Sequence, residues 1–149
     1  MAMHILVPID DSEPAKIATD YAFNTFPEAQ ITLLHVIDVA EEAYRFADAD
    51  MDARAGQLTK FEAVQQERRS EAEQLLDEHV TGATNRGLSV ETVIKVGDPT
   101  ATILRYAEDK KVDSIIVGSH GRTGVTRILL GSVAETVARR APCPVTIVR

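Results

Sequence analysis

A single cysteine, Cys143, cannot close an internal disulfide, so the fold has to rest on an ordinary core. Metal-ligand spacing is missing too: Cys143 has no partner cysteine, and His4, His35, His79 and His120 are scattered along the chain, so Cys143 is read as a small buried side chain. Basic residues are the minority, 16 against 23 acidic for a net charge of −7, which removes the footprint that non-specific nucleic-acid binding requires. No apolar run reaches the ~18 residues of a membrane span, and no charged start leads into an apolar leader segment. The expectation is a cytoplasmic protein with neither nucleic acid nor membrane as partner.

What is present is enough for one domain, residues 1–149, since a chain near ~150 residues buries roughly 68–70% of its unfolded surface. The charge is unevenly spread. Residues 38–80 hold 12 acidic and 5 basic side chains, whereas residues 118–149 hold 1 acidic and 5 basic. A solvated helix face explains the first segment. The second can face an anion.

His4–Ile9 is a short apolar, β-branched run ended by the turn-forming Asp10-Asp11-Ser12, which reads as a buried strand. Helical spacing of Ala15, Ala18, Ala22 and Phe26 predicts a helix over Pro14–Phe26, and Gln30–Ile37 is a second buried strand. Residues 38–60 lack sustained periodicity and are expected as a loop or loosely ordered helix. A helix follows over Phe61–Thr84, with Val64, Arg68, Glu71, Leu75 and Leu76 as its stripe. Leu88–Val96 alternates as a third strand. Asp98 then caps a helix that begins at Pro99 and runs to about Asp109. Asp113–Gly118, Ser132–Arg139 and Pro144–Val148 complete the series as strand, helix and strand. Strands alternating with helices imply an α/β fold, an open and mostly parallel sheet covered on both faces. Ligands of such sheets sit beyond the strands' carboxyl ends, where strand order reverses, so the loops after the first and fourth strands are the candidate site.

The loop after the fourth strand reads Gly118-Ser-His-Gly121-Arg-Thr-Gly124-Val-Thr-Arg-Ile-Leu-Leu-Gly131-Ser132. Glycines allow close backbone approach, and a helix starting at Gly131-Ser132 points free amides and its positive dipole end outward, a geometry suited to phosphate. The Ser132 hydroxyl and the amides of Ser132, Val133 and Ala134 can hold phosphoryl oxygens, with Arg122 and Arg127 adding charge. Neither a Walker-type P-loop nor the G-x-G-x-x-G dinucleotide fingerprint is spelled here.

The spacing Gly118-x2-Gly121-x9-Gly131-Ser132 resembles the nucleotide motif of the universal stress proteins. So do the opening His4-Ile-Leu-Val-Pro-Ile-Asp-Asp-Ser12, the segments Leu34-His-Val-Ile37 and Val96-Gly-Asp-Pro99, and the ending Ala141-Pro-Cys-Pro-Val-Thr-Ile-Val148. The resemblance covers essentially the whole chain. It implies five parallel strands in the order 3-2-1-4-5 and an adenine nucleotide, ATP or else AMP or ADP, at the switch between strands one and four. By the same resemblance Asp10 bonds the ribose hydroxyls, the Val36 backbone reads the adenine edge, and Pro8, Ile9 and Val117 wall base and sugar. Gly118, His120 and Gly121 line the ribose and phosphate path, while Gly131, Ser132, Val133 and Ala134 grip phosphates that Mg2+ or Mn2+ can bridge.

Other readings of the same residues stand beside these. Asp10 can cap the first helix, as can Asp11 or Ser12. His120 can position water in a slow metal-dependent ATP hydrolase or phosphotransferase, or simply hydrogen-bond within the loop. A nucleotide-free protein in which the glycines only shape a tight connection is the structural alternative. The absence of a P-loop lysine and of paired metal carboxylates favours a stress-response or signalling module that binds rather than turns over. Val145–Val148 would leave an exposed sheet edge, so a homodimer paired antiparallel through this strand is expected, and a proline at Thr146 is expected to disrupt it.

Overall fold

Ile5, Leu6 and Val7 are fully buried, and their strand, β1 (His4–Pro8), lies in the middle of the sheet. A computed structural model of the chain describes residues 2–38, 40, 51–119 and 130–149. After β1 come α1 (Glu13–Thr25), β2 (Gln30–Ile37), α2 (Met51–Asn85) and β3 (Val90–Val96). The chain continues through α3 (Pro99–Asp109), β4 (Ser114–Gly118), α4 (Ser132–Arg140) and β5 (Val145–Val148). The strands form one parallel sheet in the order β3-β2-β1-β4-β5, the arrangement the family resemblance implies.

Continuous apolar runs make the central strands because both faces of a parallel sheet are covered. Period-two alternation then divides the core. Ile5, Val7 and Ile9 pack with Ile31, Leu33 and Ile116 against Ala18, Ala22 and Phe23 of α1 and Leu76 and Ala83 of α2. On the other face Leu6, Leu34, Ile115 and Val117 pack against Ile103, Tyr106 and Ala107 of α3 and Ala134 and Val137 of α4.

Local chemistry sets the helix starts. The Ser12 hydroxyl oxygen accepts from the Ala15 N–H at 3.2 Å, with Pro14 in the first turn of α1. The Asp98 carboxylate accepts from the Ala101 N–H at 2.9 Å, and Pro99 opens α3 as the sequence predicts. Of the two alternatives expected for residues 38–60, helix holds from Met51 onward: α2 begins there, ten residues before Phe61, in a segment rich in good helix formers, which needs no apolar stripe to be helical. The buried stripe of α2 is Ala72, Leu76, His79 and Ala83, and Glu71 is exposed. Among the described residues no helix is long and apolar enough to cross a membrane.

Candidate functional site

β1 has β2 on one side and β4 on the other, so the connections leaving β1 and β4 part company at the carboxyl edge of the sheet. Pro8 lies opposite Leu34, and Leu6 opposite Ile115; continuing that register sets Val117 beside Pro8. Leu34, Val36, Val117, Val133 and Ala134 belong to one cluster on the α3 and α4 face. Five of the sequence-predicted residues (Pro8, Val36, Val117, Val133 and Ala134) therefore share one side of the carboxyl edge. Ile9 does not join them. Its side chain is 4% exposed and packs on the opposite face, between β2 and α1, because strand alternation turns it away from Pro8.

Asp10 leaves β1 at this edge. Ser12 occupies the capping position of α1, and its hydroxyl donates to Asp10 Oδ1 while accepting from Ala15. Of the candidate caps it is thus Ser12, not Asp10, that caps α1, and Asp10 is held to the cap through Oδ1. Behind Asp10 the chain is tied to β2: the Ile9 N–H donates to the Leu34 carbonyl at 2.8 Å, and Nδ1 of His35 donates to the Ile9 carbonyl at 2.7 Å.

At the end of β4, Gly118 is buried against α1. A Cβ there would fall 2.7 Å from both the carbonyl carbon and oxygen of Pro14. The first glycine of the spacing motif thus has a packing reason of its own. Ser119, 5% exposed, donates its N–H to the Val148 carbonyl at 2.9 Å and accepts at its own carbonyl from the Gly131 N–H at 2.8 Å. The chain leaving β4 and the chain entering α4 are clasped at this point. His120 and Gly121, like Arg122, Gly124 and Arg127, lie outside the described residues.

Gly131 is the N-cap of α4, extended at φ −65° and ψ 157°, and supplies no side-chain cap. Its carbonyl accepts from the Glu135 N–H at 2.9 Å. The amides of Ser132, Val133 and Ala134 precede that bond and, like the first donors of any α-helix, lack an intrahelical acceptor. With the dipole's positive end they make an anion-facing terminus next to the exit of β4. Ser132 is exposed, Val133 half-buried and Ala134 buried. Cys143 is half-buried, and burial together with Asp113 raises its pKa, which suits a packed thiol rather than a reactive one. Among the described residues no three His, Cys, Asp or Glu side chains gather as a metal site.

The universal stress protein family model matches residues 1–149. The chain belongs to the universal stress protein family. Universal stress protein MJ0577 of Methanocaldococcus jannaschii is 37% identical over 155 residues, covering 100% of this chain and 96% of that protein. The solved structure of MJ0577 superposes with a TM-score of 0.80 at 35% identity, over 99% of this chain and 96% of that one. Universal stress protein UspA from Lactobacillus plantarum gives 0.79 at 26% identity, over 99% and 97%. A family protein from Arabidopsis thaliana, solved with AMP bound, shares the fold at a TM-score of 0.67 and 21% identity, over 98% and 90%. More distant members of the same fold were solved with cAMP and with dAMP.

Three further residues order this edge: Ser12, His35 and Ser119. Ser12 carried a local signal, a hydroxyl three residues before Ala15. His35 and Ser119 stand inside the family-like segments, but local sequence does not show their partners: His35 pairs with Ile9, 26 residues earlier, and Ser119 acts through backbone atoms.

Proposed function

We propose that this universal stress protein is a one-domain module that binds an adenine nucleotide, ATP in the first place with ADP and AMP as related ligands. The nucleotide state then alters its affinity for a partner in a cytoplasmic stress or signalling response. The observation that carries the reading is the pairing of two features at one edge of the sheet. The α4 terminus presents three leading amides with no side-chain cap, and Asp10 stands at the neighbouring strand exit with its capping role taken by Ser12. An anion on the first and a sugar hydroxyl on the second are what a nucleotide supplies together.

In this reading Gly131, Ser132, Val133 and Ala134 hold phosphate oxygens, Asp10 accepts from ribose hydroxyls, and the Val36 backbone meets the adenine edge. Pro8 and Val117 flank the base, and Ile9 acts from behind by tying the start of the Asp10 turn to β2. Gly118 acts by seating α1; His120 and Gly121 complete the phosphate path. A Mg2+ or Mn2+ ion would be held through the phosphates. Family members solved with AMP, cAMP and dAMP support the ligand class. The exposed edge of β5 supports a homodimer.

The test is to denature protein purified without added nucleotide, identify any small molecule released, and measure ATP rebinding by calorimetry with and without Mg2+. Recovery or rebinding of an adenine nucleotide is the expected result. A protein that releases nothing and ignores ATP under both conditions would leave the glycines with a structural role only.

A further inference from the structure

His35 lies on β2, and the neighbours on its own face, Ile31, Leu33 and Ile37, are buried and apolar. A half-buried imidazole in that row needs hydrogen bonds to offset its lost hydration. One is formed with Ile9, 26 residues earlier: Nδ1 lies 2.7 Å from the Ile9 carbonyl oxygen. A carbonyl oxygen only accepts, so Nδ1 carries the proton and donates. The Ile9 N–H is meanwhile given to the Leu34 carbonyl at 2.8 Å. Both polar backbone groups of Ile9 are therefore bound to adjacent residues of β2, and its side chain is 4% exposed in the core.

Asp10 is the next residue. Orientation of the Ile9 carbonyl fixes the plane of the Ile9–Asp10 peptide, and that plane sets the direction in which the Asp10 side chain leaves the backbone. Ser12 then holds the carboxylate from the other side by donating to Oδ1. We infer that His35 is a positioning residue: by holding the Ile9 carbonyl it aims the Asp10 carboxylate at the sugar hydroxyls of a bound nucleotide, without touching the ligand itself. This rests on the reading above, in which Asp10 accepts from the ribose.

A residue that only stabilised the sheet would, when removed, weaken every nucleotide alike. A residue that aims Asp10 weakens only ligands with hydroxyls for Asp10 to bind. The experiment compares calorimetric affinities for ATP and 2′,3′-dideoxyATP in the wild type, His35→Leu and His35→Asn, the last keeping an N–H donor near the place of Nδ1. Wild type is expected to prefer ATP. His35→Leu should lose about tenfold on ATP, the worth of roughly one hydrogen bond, and less than about twofold on the dideoxy compound. His35→Asn should regain most of the preference.

An unchanged preference in His35→Leu, or an equal loss on both nucleotides, overturns the inference while leaving nucleotide binding standing. A wild type that binds neither nucleotide overturns the nucleotide reading itself, and a wild type that binds both equally removes the ribose role of Asp10. Should His35→Leu not fold, 15N NMR of the wild-type ring decides. A proton on Nδ1 with a resonance moved by ATP and not by dideoxyATP supports positioning, and a proton on Nε2 alone overturns it.

Discussion

Gly118→Ala adds one methyl group at the end of β4, and the geometry says where it goes. The new Cβ would stand 2.7 Å from the carbonyl carbon and oxygen of Pro14 and 2.9 Å from its Cβ. Carbon atoms in good contact sit about 3.5–4.0 Å apart, so each approach is short by close to an ångström. The obstacle is backbone in the first turn of α1, stiffened by the proline ring, and it cannot rotate aside as the end of a side chain would. The φ angle of Gly118 lies outside the left-handed region, so the cost is steric alone. Overpacking of this kind costs about 1–3 kcal/mol, and a backbone obstacle argues for the upper half of that range. For a chain of this length ~1 kcal/mol moves the melting temperature by about 2–4 °C, so a fall of roughly 4–12 °C is expected. Two other glycines give the comparison its force. Gly56, in α2, has nothing within 4 Å of an added Cβ, and Gly56→Ala should stabilise by about 0.5–1 kcal/mol through helix propensity. Gly87 also has open space but a φ of +74°, and Gly87→Ala should cost about 1–2 kcal/mol from conformation alone. Urea melts followed by circular dichroism, with the m-value checked for constancy, read all three. A Gly118→Ala midpoint within about 0.5 kcal/mol of wild type would refute the claim that Pro14 packs tightly on β4.

Ser12→Ala removes the α1 cap and should cost about 1 kcal/mol, and it should also weaken ATP binding because Asp10 loses its hydroxyl donor; Asp98→Ala, a matched cap loss at α3, should cost about the same and leave ATP affinity alone, as paired denaturation and calorimetry will show. Burial holds the pKa of His79 below its ordinary 6.5, with Lys16 adding to the shift and Glu78 and Asp20 opposing it. The native state therefore takes up a proton later than the unfolded chain as pH falls. The His79 contribution to stability should be flat above about pH 6.5 and decline below it, until the native pKa is passed, and His79→Gln should remove that part of the slope between pH 7.5 and 5.5 in urea melts. Proline at Ile147 should convert a β5-paired dimer to monomer by sedimentation, whereas an intact dimer would move the interface elsewhere. Thr146 is the wrong site for that test: the Pro144 and Val148 carbonyls are taken by Ile115 and Ser119, so alternation directs the backbone groups of Thr146 toward β4 and those of Ile147 to the open edge.

The sequence made some of this legible and hid the rest for identifiable reasons. β1, β2 and β4 could be read because a parallel strand buried on both faces is written as an unbroken apolar run. α1 and α3 could be read because their starts carry Ser12 and Asp98 with a proline in the first turn that follows. The first ten residues of α2 could not, since they form helix from propensity rather than from an apolar stripe. Ile9 follows Pro8 directly, yet period-two alternation turns its side chain to the α1 face, a separation that a grouping by neighbourhood in sequence does not show. At the site, Gly131-Ser132 announced an amide-rich terminus through local sequence. The tie from His35 to Ile9 and the clasp at Ser119 involve partners brought together only by the completed sheet.

A motif of fixed spacing invites the idea that each glycine meets the ligand. Gly118 instead meets Pro14, two residues after Ser12, and Ser12 holds Asp10. The same stretch continues into Ser119, whose carbonyl is bonded to Gly131 at the head of α4. One residue at the end of β4 thus seats the helix whose cap, Ser12, holds Asp10, and the next seats the helix that carries the amides. Neither contact requires a ligand, so the two halves of the crevice are set relative to each other before anything binds. Such preorganisation lowers the ordering cost of binding, and it locates that saving in backbone contacts that substitutions of ligand-facing side chains leave in place. A methyl group at Gly118 should accordingly weaken nucleotide affinity by displacing Asp10, although it stands against Pro14 and not against the nucleotide.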